Sequence, residues 1–145
     1  MLLNTSFYKH TMRVLLLVAV LLLTLSCSAK QTVTKSENEQ WGIAITRLHL
    51  SANGYMVDFR YRVLDPVKAK ELFVRKNKPY LIDQKSGRVL SVPNIGKVGP
   101  LRTSNAPKKG KIYWMFFENI AGVIQSGSRV SVVIGDFRAD NLVVL

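Results

Sequence analysis

Of the two histidines in the chain, His10 precedes a long apolar run and His49 stands between Leu48 and Leu50. Any histidine base after that run would have to be His49. A serine triad needs such a base, but no serine lies in a recognisable nucleophile motif. Zinc would need His49 together with carboxylates, because the one cysteine is Cys27, and no spacing supports that set. Paired carboxylates can cleave glycosides. Here Asp58, Asp65, Glu71, Asp83, Glu118, Asp136 and Asp140 are scattered, mostly at strand ends or on an expected solvent face. Turn formation and ion pairing account for them there. Asp136 and Asp140 flank Phe137-Arg138 in an expected turn, and calcium wants more oxygen ligands than two carboxylates supply. "GKVGPLR", residues 96–102, has two glycines and a lysine but not the spacing of a phosphate loop. No catalytic residue, metal site or cofactor is therefore assigned.

The cysteine belongs to a different chemistry. Lys9 and Arg13 precede the uncharged run Val14–Leu23, which ends near Ser26-Cys27. A run of this length is short for a bilayer span, and its basic flank and small terminal residues are those of a secretory signal. Met12-Arg13 followed by the run is already a minimal signal. Leu23-Thr24-Leu25-Ser26-Cys27 resembles the lipobox of bacterial lipoproteins. The resemblance implies a diacylglyceryl group on the Cys27 sulfur, cleavage before Cys27 and a further acyl chain on the new amino group. Ser28, where an aspartate would imply inner-membrane retention, implies the outer membrane, facing the periplasm. Ordinary cleavage after Ala29 is the alternative, and it leaves no cysteine in the mature chain. Both readings export the protein. Each buried methylene contributes about 0.8 kcal/mol, and a second chain turns reversible attachment into a stable anchor.

The expected organisation is a signal over residues 1–26, a lipidated cysteine and tether over 27–40, and one domain over 41–145. The tether "SAKQTVTKSENEQ" has too little apolar surface to fold alone. A flexible chain of that length spans on the order of 20 Å. The domain is long enough to bury a core without disulfides.

The formal net charge of the whole chain is +12, and the excess is local. Residues 68–111 hold twelve lysines and arginines against only Glu71 and Asp83. Residues 27–67 and 112–145 nearly cancel. Charge of this kind concerns partners rather than fold. For an exported protein it argues against nucleic acid and for anionic lipid, lipopolysaccharide or an acidic envelope protein. Lys97, Arg102, Lys108, Lys109 and Lys111 are the candidate anion-binding residues, because they fall in a long loop free to fit a partner. The bland alternative is a solvated basic face.

The elements that must position these groups read as strands. Trp41, Ile43 and Ile45 alternate with smaller residues, and the apolar phase then shifts to Leu48 and Leu50, as a β-bulge or a change of sheet would require. Ser51-Ala52-Asn53-Gly54 reads as a turn. Tyr55, Val57, Phe59, Tyr61 and Val63 should face a core, with Met56, Asp58, Arg60, Arg62 and Leu64 mostly in solvent. Asp65-Pro66 starts a short helix over "VKAKELF". "PYLIDQKSGRVLSVP" reads as a hairpin, with strands near 80–83 and 89–92. Residues 93–111 read as a long loop. "IYWMFF", 112–117, reads as a strand buried on both faces, with Trp114 and Phe116 on one and Tyr113, Met115 and Phe117 on the other. Residues 130–134 form the next strand, "GDFRADN" a turn, and 142–145 the last strand. The expected fold is all-β with one short helix: an immunoglobulin-like antiparallel β-sandwich of about seven strands, with a small β-barrel as the alternative.

"GYMVDFRYRVLDPVKA", "PYLIDQKSG", "KVGPLR" and "VVIGDFRADNLVV" are similar to segments of a group of small bacterial lipoproteins and exported proteins of uncharacterised activity. The resemblance implies export and a β-rich domain, and it assigns no site. The expectation is a membrane-anchored, non-catalytic binding or structural module. The alternative is an envelope enzyme or an accessory subunit of one. His49 converging with two carboxylates in a cleft would favour the enzyme.

Overall fold

The computed structural model describes residues 39–145. Cys27, the signal and nearly all of the tether lie outside the described residues. Nine strands run in chain order: β1 (Ile43–Ser51), β2 (Met56–Val63), β3 (Tyr80–Asp83), β4 (Val89–Ser91), β5 (Asn94–Ile95), β6 (Gly99–Pro100), β7 (Ile112–Glu118), β8 (Arg129–Ile134) and β9 (Phe137–Val143). One sheet has the order β1-β2-β7, a second β4-β3-β8-β9, and β5-β6 is a small ribbon. All pairings are antiparallel. The two larger sheets face each other over a single core and do not close into a barrel. Seven strands thus form an immunoglobulin-like sandwich. Its fourth strand lies beside the third, not in the first sheet where the constant-type arrangement has it.

The pattern of each strand accounts for its burial. On β2, Val57, Phe59, Tyr61 and Val63 are buried inward, and on β7 Tyr113, Met115 and Phe117 meet them. The facing sheet contributes Leu81, Val130, Val132, Ile134 and Phe137. The phase shift in β1 is a bulge: Ile45 pairs with Tyr61 and Arg47 with Arg60, so Thr46 is the extra residue. The bulge returns Leu48 to the core. Beyond it, the Leu50 N–H donates to the Leu145 carbonyl at 3.1 Å, and the Leu145 N–H to that of Leu48 at 3.1 Å. Leu145 thereby covers the outer edge of β1 at Leu48–Leu50.

Four sequence expectations need correction. Tyr55 lies before β2 and is 58% exposed, because the turn residues Ala52, Asn53 and Gly54 all take positive φ and carry it out of the sheet. The helix after Asp65-Pro66 is a 3-10 turn, Lys68–Phe73. Asp65 does not cap it: its Oδ1 accepts from the Val67 N–H at 2.9 Å, just ahead of the turn, whose own N-terminus at Val67 has no side-chain cap. Residues 93–111 are not an unstructured loop. They hold the β5-β6 ribbon, and then residues 101–103 run along the free edge of β7. There the Phe116 N–H donates to the Leu101 carbonyl at 3.0 Å and the Thr103 N–H to that of Trp114 at 2.9 Å. Finally, β9 begins at Phe137, not Leu142. Ile134 pairs with Phe137, so the connection is only Gly135-Asp136. Gly135 has φ +60°, as the first central position of a type II′ hairpin demands.

The two sheets share their ends. Trp41, just ahead of β1, packs edge-on against Phe137 at the start of β9, with ring centroids 5.9 Å apart. At the same end Gly42 accepts from the N–H groups of Leu64 and Asp65 at 2.8 and 3.0 Å, docking the connection that follows β2. A Cβ on Gly42 would stand 2.6 Å from the Asp65 carbonyl oxygen, and its φ is +65°. Gly42→Ala is therefore expected to cost about 3 kcal/mol, combining left-handed strain with a backbone clash. Gly54→Ala, at φ +86° with nothing within 4 Å of the new Cβ, should cost only about 1 kcal/mol. Urea unfolding of both variants checks the difference.

Candidate functional site

The end of the sandwich where the chain enters is also its basic end. The 3-10 turn supplies Lys68 and Lys70, the connection after it Arg75, Lys76 and Lys78, and the loop before β7 Lys108, Lys109 and Lys111. Lys85 and Arg88 lie on the β3–β4 turn at the opposite end. An aromatic cluster beneath the surface fixes these connections. Tyr61 and Tyr113 stack with ring centroids 6.0 Å apart, and Phe73 from the 3-10 turn packs edge-on against Tyr113 at 4.7 Å. The Tyr113 hydroxyl donates to the Ala106 carbonyl at 2.8 Å and accepts from the Lys108 N–H at 2.9 Å. A core side chain thus ties down the lysine loop. Lys111 lies 5.5 Å from the centre of the Tyr113 ring, within cation–π range.

The five expected anion-binding residues lie on three segments. Lys108, Lys109 and Lys111 are exposed on the tied loop. Lys97 is exposed in the 3-10 turn Gly96–Val98, which joins β5 to β6. Arg102 is set apart from both by being half-buried. It pairs with Met115 along the edge of β7 and sends its guanidinium into the connection ahead of β3. There it donates to the Asn77 carbonyl at 3.0 Å and to that of Val74 at 3.4 Å. Burial lowers its pKa from the ordinary arginine value. Burial also raises that of the nearby Tyr61 phenol, which Arg102 opposes. Arg60 and Arg138 differ from it in having carboxylate partners, Asp58 at 2.8 Å and Asp140 at 2.9 Å.

Arg102 opens onto a groove of about 470 Å³ whose charged lining residues are Arg75, Lys78 and Arg102. Pro79 and Pro100 stiffen its walls, and Ser91, Asn94 and Ser104 add polar groups. The turn that carries Arg75 and Lys78 is pinned by Asn77, whose side chain donates to the Glu71 carbonyl at 3.0 Å. Gly135 leaves room for that asparagine, since a Cβ there would meet its Nδ2 at 2.6 Å. A cleft of about 530 Å³ at the other end has mixed charge, with Asp83, Lys85 and Arg129 in its lining. The Asp83 carboxylate accepts from the hydroxyl and N–H of Ser86, which together hold its pKa below the ordinary carboxylate value. It serves as a turn former, as expected. Sequence reasoning missed the grouping of Arg75 and Lys78 with Arg102. Their signal was membership of the basic segment, which does not say which charges converge.

The outer face of the β1-β2-β7 sheet departs from expectation. Asp58, expected in solvent, is only 1% exposed. It accepts from the Arg60 Nε at 2.9 Å, and His49 Nε2 lies 3.9 Å from it. His49 Nδ1 is buried without a partner. The histidine thus meets one carboxylate on an open sheet face, whereas the enzyme reading asked for two in a cleft. Among the described residues no three His, Cys, Asp or Glu side chains group to hold a metal ion. Asp140, expected in a turn, is on β9, where both its oxygens accept from Arg138 Nε at 2.9 Å.

The strand "IYWMFF" is buried on one face only. Tyr113, Met115 and Phe117 are in the core, while Trp114 is 37% exposed and leans on Phe116 at 5.4 Å. Among the described residues no layer covers that face; residues 101–103 pair with the strand's edge.

Compared with known proteins, the chain matches no family model, no curated protein and no solved structure. Among the described residues no helix is long and apolar enough to cross a membrane.

The two faces of β7 should separate on mutation. Phe117→Ala is expected to cost about 3–5 kcal/mol and Trp114→Ala about 1 kcal/mol or less, since only the first opens a core cavity. Equilibrium denaturation of the two variants side by side checks this.

Proposed function

We propose that the protein is a membrane-anchored lipoprotein of the bacterial cell envelope. In this reading it is a non-catalytic binding module held by acylated Cys27, at the outer membrane facing the periplasm, and it engages anionic groups with its basic end. The observation that carries the reading is that the chain enters the sandwich beside Trp41, at the end where the basic connections gather. A lipid upstream of residue 39 would keep that end, and not the one with Asp83 and Glu118, toward the bilayer. Attraction between a cationic surface and anionic headgroups is then short-ranged. Each basic side chain near the membrane contributes about 1 kcal/mol, fading over a Debye length of about 8 Å.

Labelling cells with a palmitate analogue should mark the wild type and leave Cys27→Ala unmarked. An unlabelled wild type found in the soluble periplasmic fraction would end the anchoring part of the reading. The charge part is read from the full chain in nonionic micelles doped with phosphatidylglycerol. Reversing Lys108, Lys109 and Lys111 to glutamate should weaken association with the anionic lipid by at least about a hundredfold, since three contributions of about 1 kcal/mol each are lost and replaced by repulsion. The melting temperature should fall by only a few degrees, because all three side chains are exposed and only Lys111 meets a core ring, that of Tyr113. Equal association by wild type and variant would leave the loop a solvated basic face.

A further inference from the structure

We propose that the groove beside Arg102 is a binding site for a phosphate group, carried by a small alcohol or lipid headgroup. The proposal deepens the function above and rests on it only for where the ligand comes from. Three cations line the groove, Arg75, Lys78 and Arg102, and among the described residues no carboxylate does. Arg102 is half-buried, yet among the described residues no carboxylate lies within ion-pair distance of it. The other arginine that is half-buried, Arg60, and the exposed Arg138 are each paired. Taking a charge out of water without a counter-charge is costly, and a bound anion offsets that cost.

The arginine is also held in place before any ligand arrives. The carbonyls of Asn77 and Val74 take one N–H from each terminal nitrogen, which leaves three of the five donors of the guanidinium fork for a ligand. Arginine forks recognise phosphate with two parallel hydrogen bonds. Arg75 and Lys78 add two further charges from the turn pinned by Asn77. Ser91, Asn94 and Ser104 supply hydroxyl and amide donors for the remaining oxygens. A groove of about 470 Å³ falls in the size range of small-molecule sites, so it has room for a phosphate and the group esterified to it.

The test is calorimetric titration of inorganic phosphate into the full chain in nonionic micelles, at constant ionic strength. Saturable binding at one site is expected. Arg102→Gln should weaken it tenfold or more, and Arg75→Gln and Lys78→Gln severalfold each. Reversal of Lys108, Lys109 and Lys111 should change it less than threefold. If Arg102→Gln does not fold, the two exposed positions decide the matter. The proposal is overturned if phosphate shows no saturable binding, or if Arg75→Gln and Lys78→Gln titrate like the wild type. Doping the micelles with phosphatidylglycerol separates the sources. Competition with inorganic phosphate points to a lipid headgroup, and its absence to a soluble phosphate ester. An unlabelled Cys27 alongside intact phosphate binding would end the anchoring reading and leave this site standing.

Discussion

The hydroxyl of Tyr113 reaches from the core to the surface of the basic end, and the arrangement there depends on it. The ring is fully buried between Tyr61 and Phe73, while the oxygen is spent on backbone groups of Ala106 and Lys108. A sandwich has no element of its own to close its ends, so its connections must be fastened to something rigid. Here the fastening is aromatic. Phe73 draws in the 3-10 turn and Tyr113 draws in the lysine loop. Buried tyrosines usually need a partner for their hydroxyl, and here that need fixes the path of the connection.

Edge protection places the other charged element. The outer strand of a sheet exposes unpaired backbone groups and invites association. β7 is covered at Trp114–Phe116 by residues 101–103, and β1 at Leu48–Leu50 by Leu145. Covering β7 puts Arg102 opposite Met115, from where its side chain meets the carbonyls of Asn77 and Val74. The groove is therefore a by-product of closing an edge: the strip that pairs with β7 also delivers a guanidinium to the wall formed by the β2–β3 connection. Asn77 and Gly135 keep that wall in position from the far side.

Charge is handled differently on the two surfaces. On the open face of the first sheet, Asp58 is buried by its own neighbours and held by Arg60, with His49 beside it. On β9, Arg138 and Asp140 satisfy each other at the surface. Around the groove, among the described residues, no such matching occurs and only cations line it. Matched pairs suit a surface that needs only to be soluble, whereas an unmatched set suits a ligand of opposite sign.

Much of this was legible in the residue order. Alternation in residues 41–63 dictated two strands, and the phase shift after Ile45 announced a bulge or a change of sheet, since side-chain direction in a strand has a period of two; the pairing made it a bulge. Asp65-Pro66, the glycine and asparagine turns and the β3–β4 hairpin are local chemistry and were equally readable. The concentration of positive charge in residues 68–111 was plain from composition. Tertiary structure alone decided which of those charges meet. Arg75, Lys78 and Arg102 are brought together by pairing at the edge of β7, a contact between distant segments that leaves no periodic trace. It also decided that Asp58 would be buried and Trp114 half-open. Polarity predicts the face a residue occupies, but not whether its neighbours cover it.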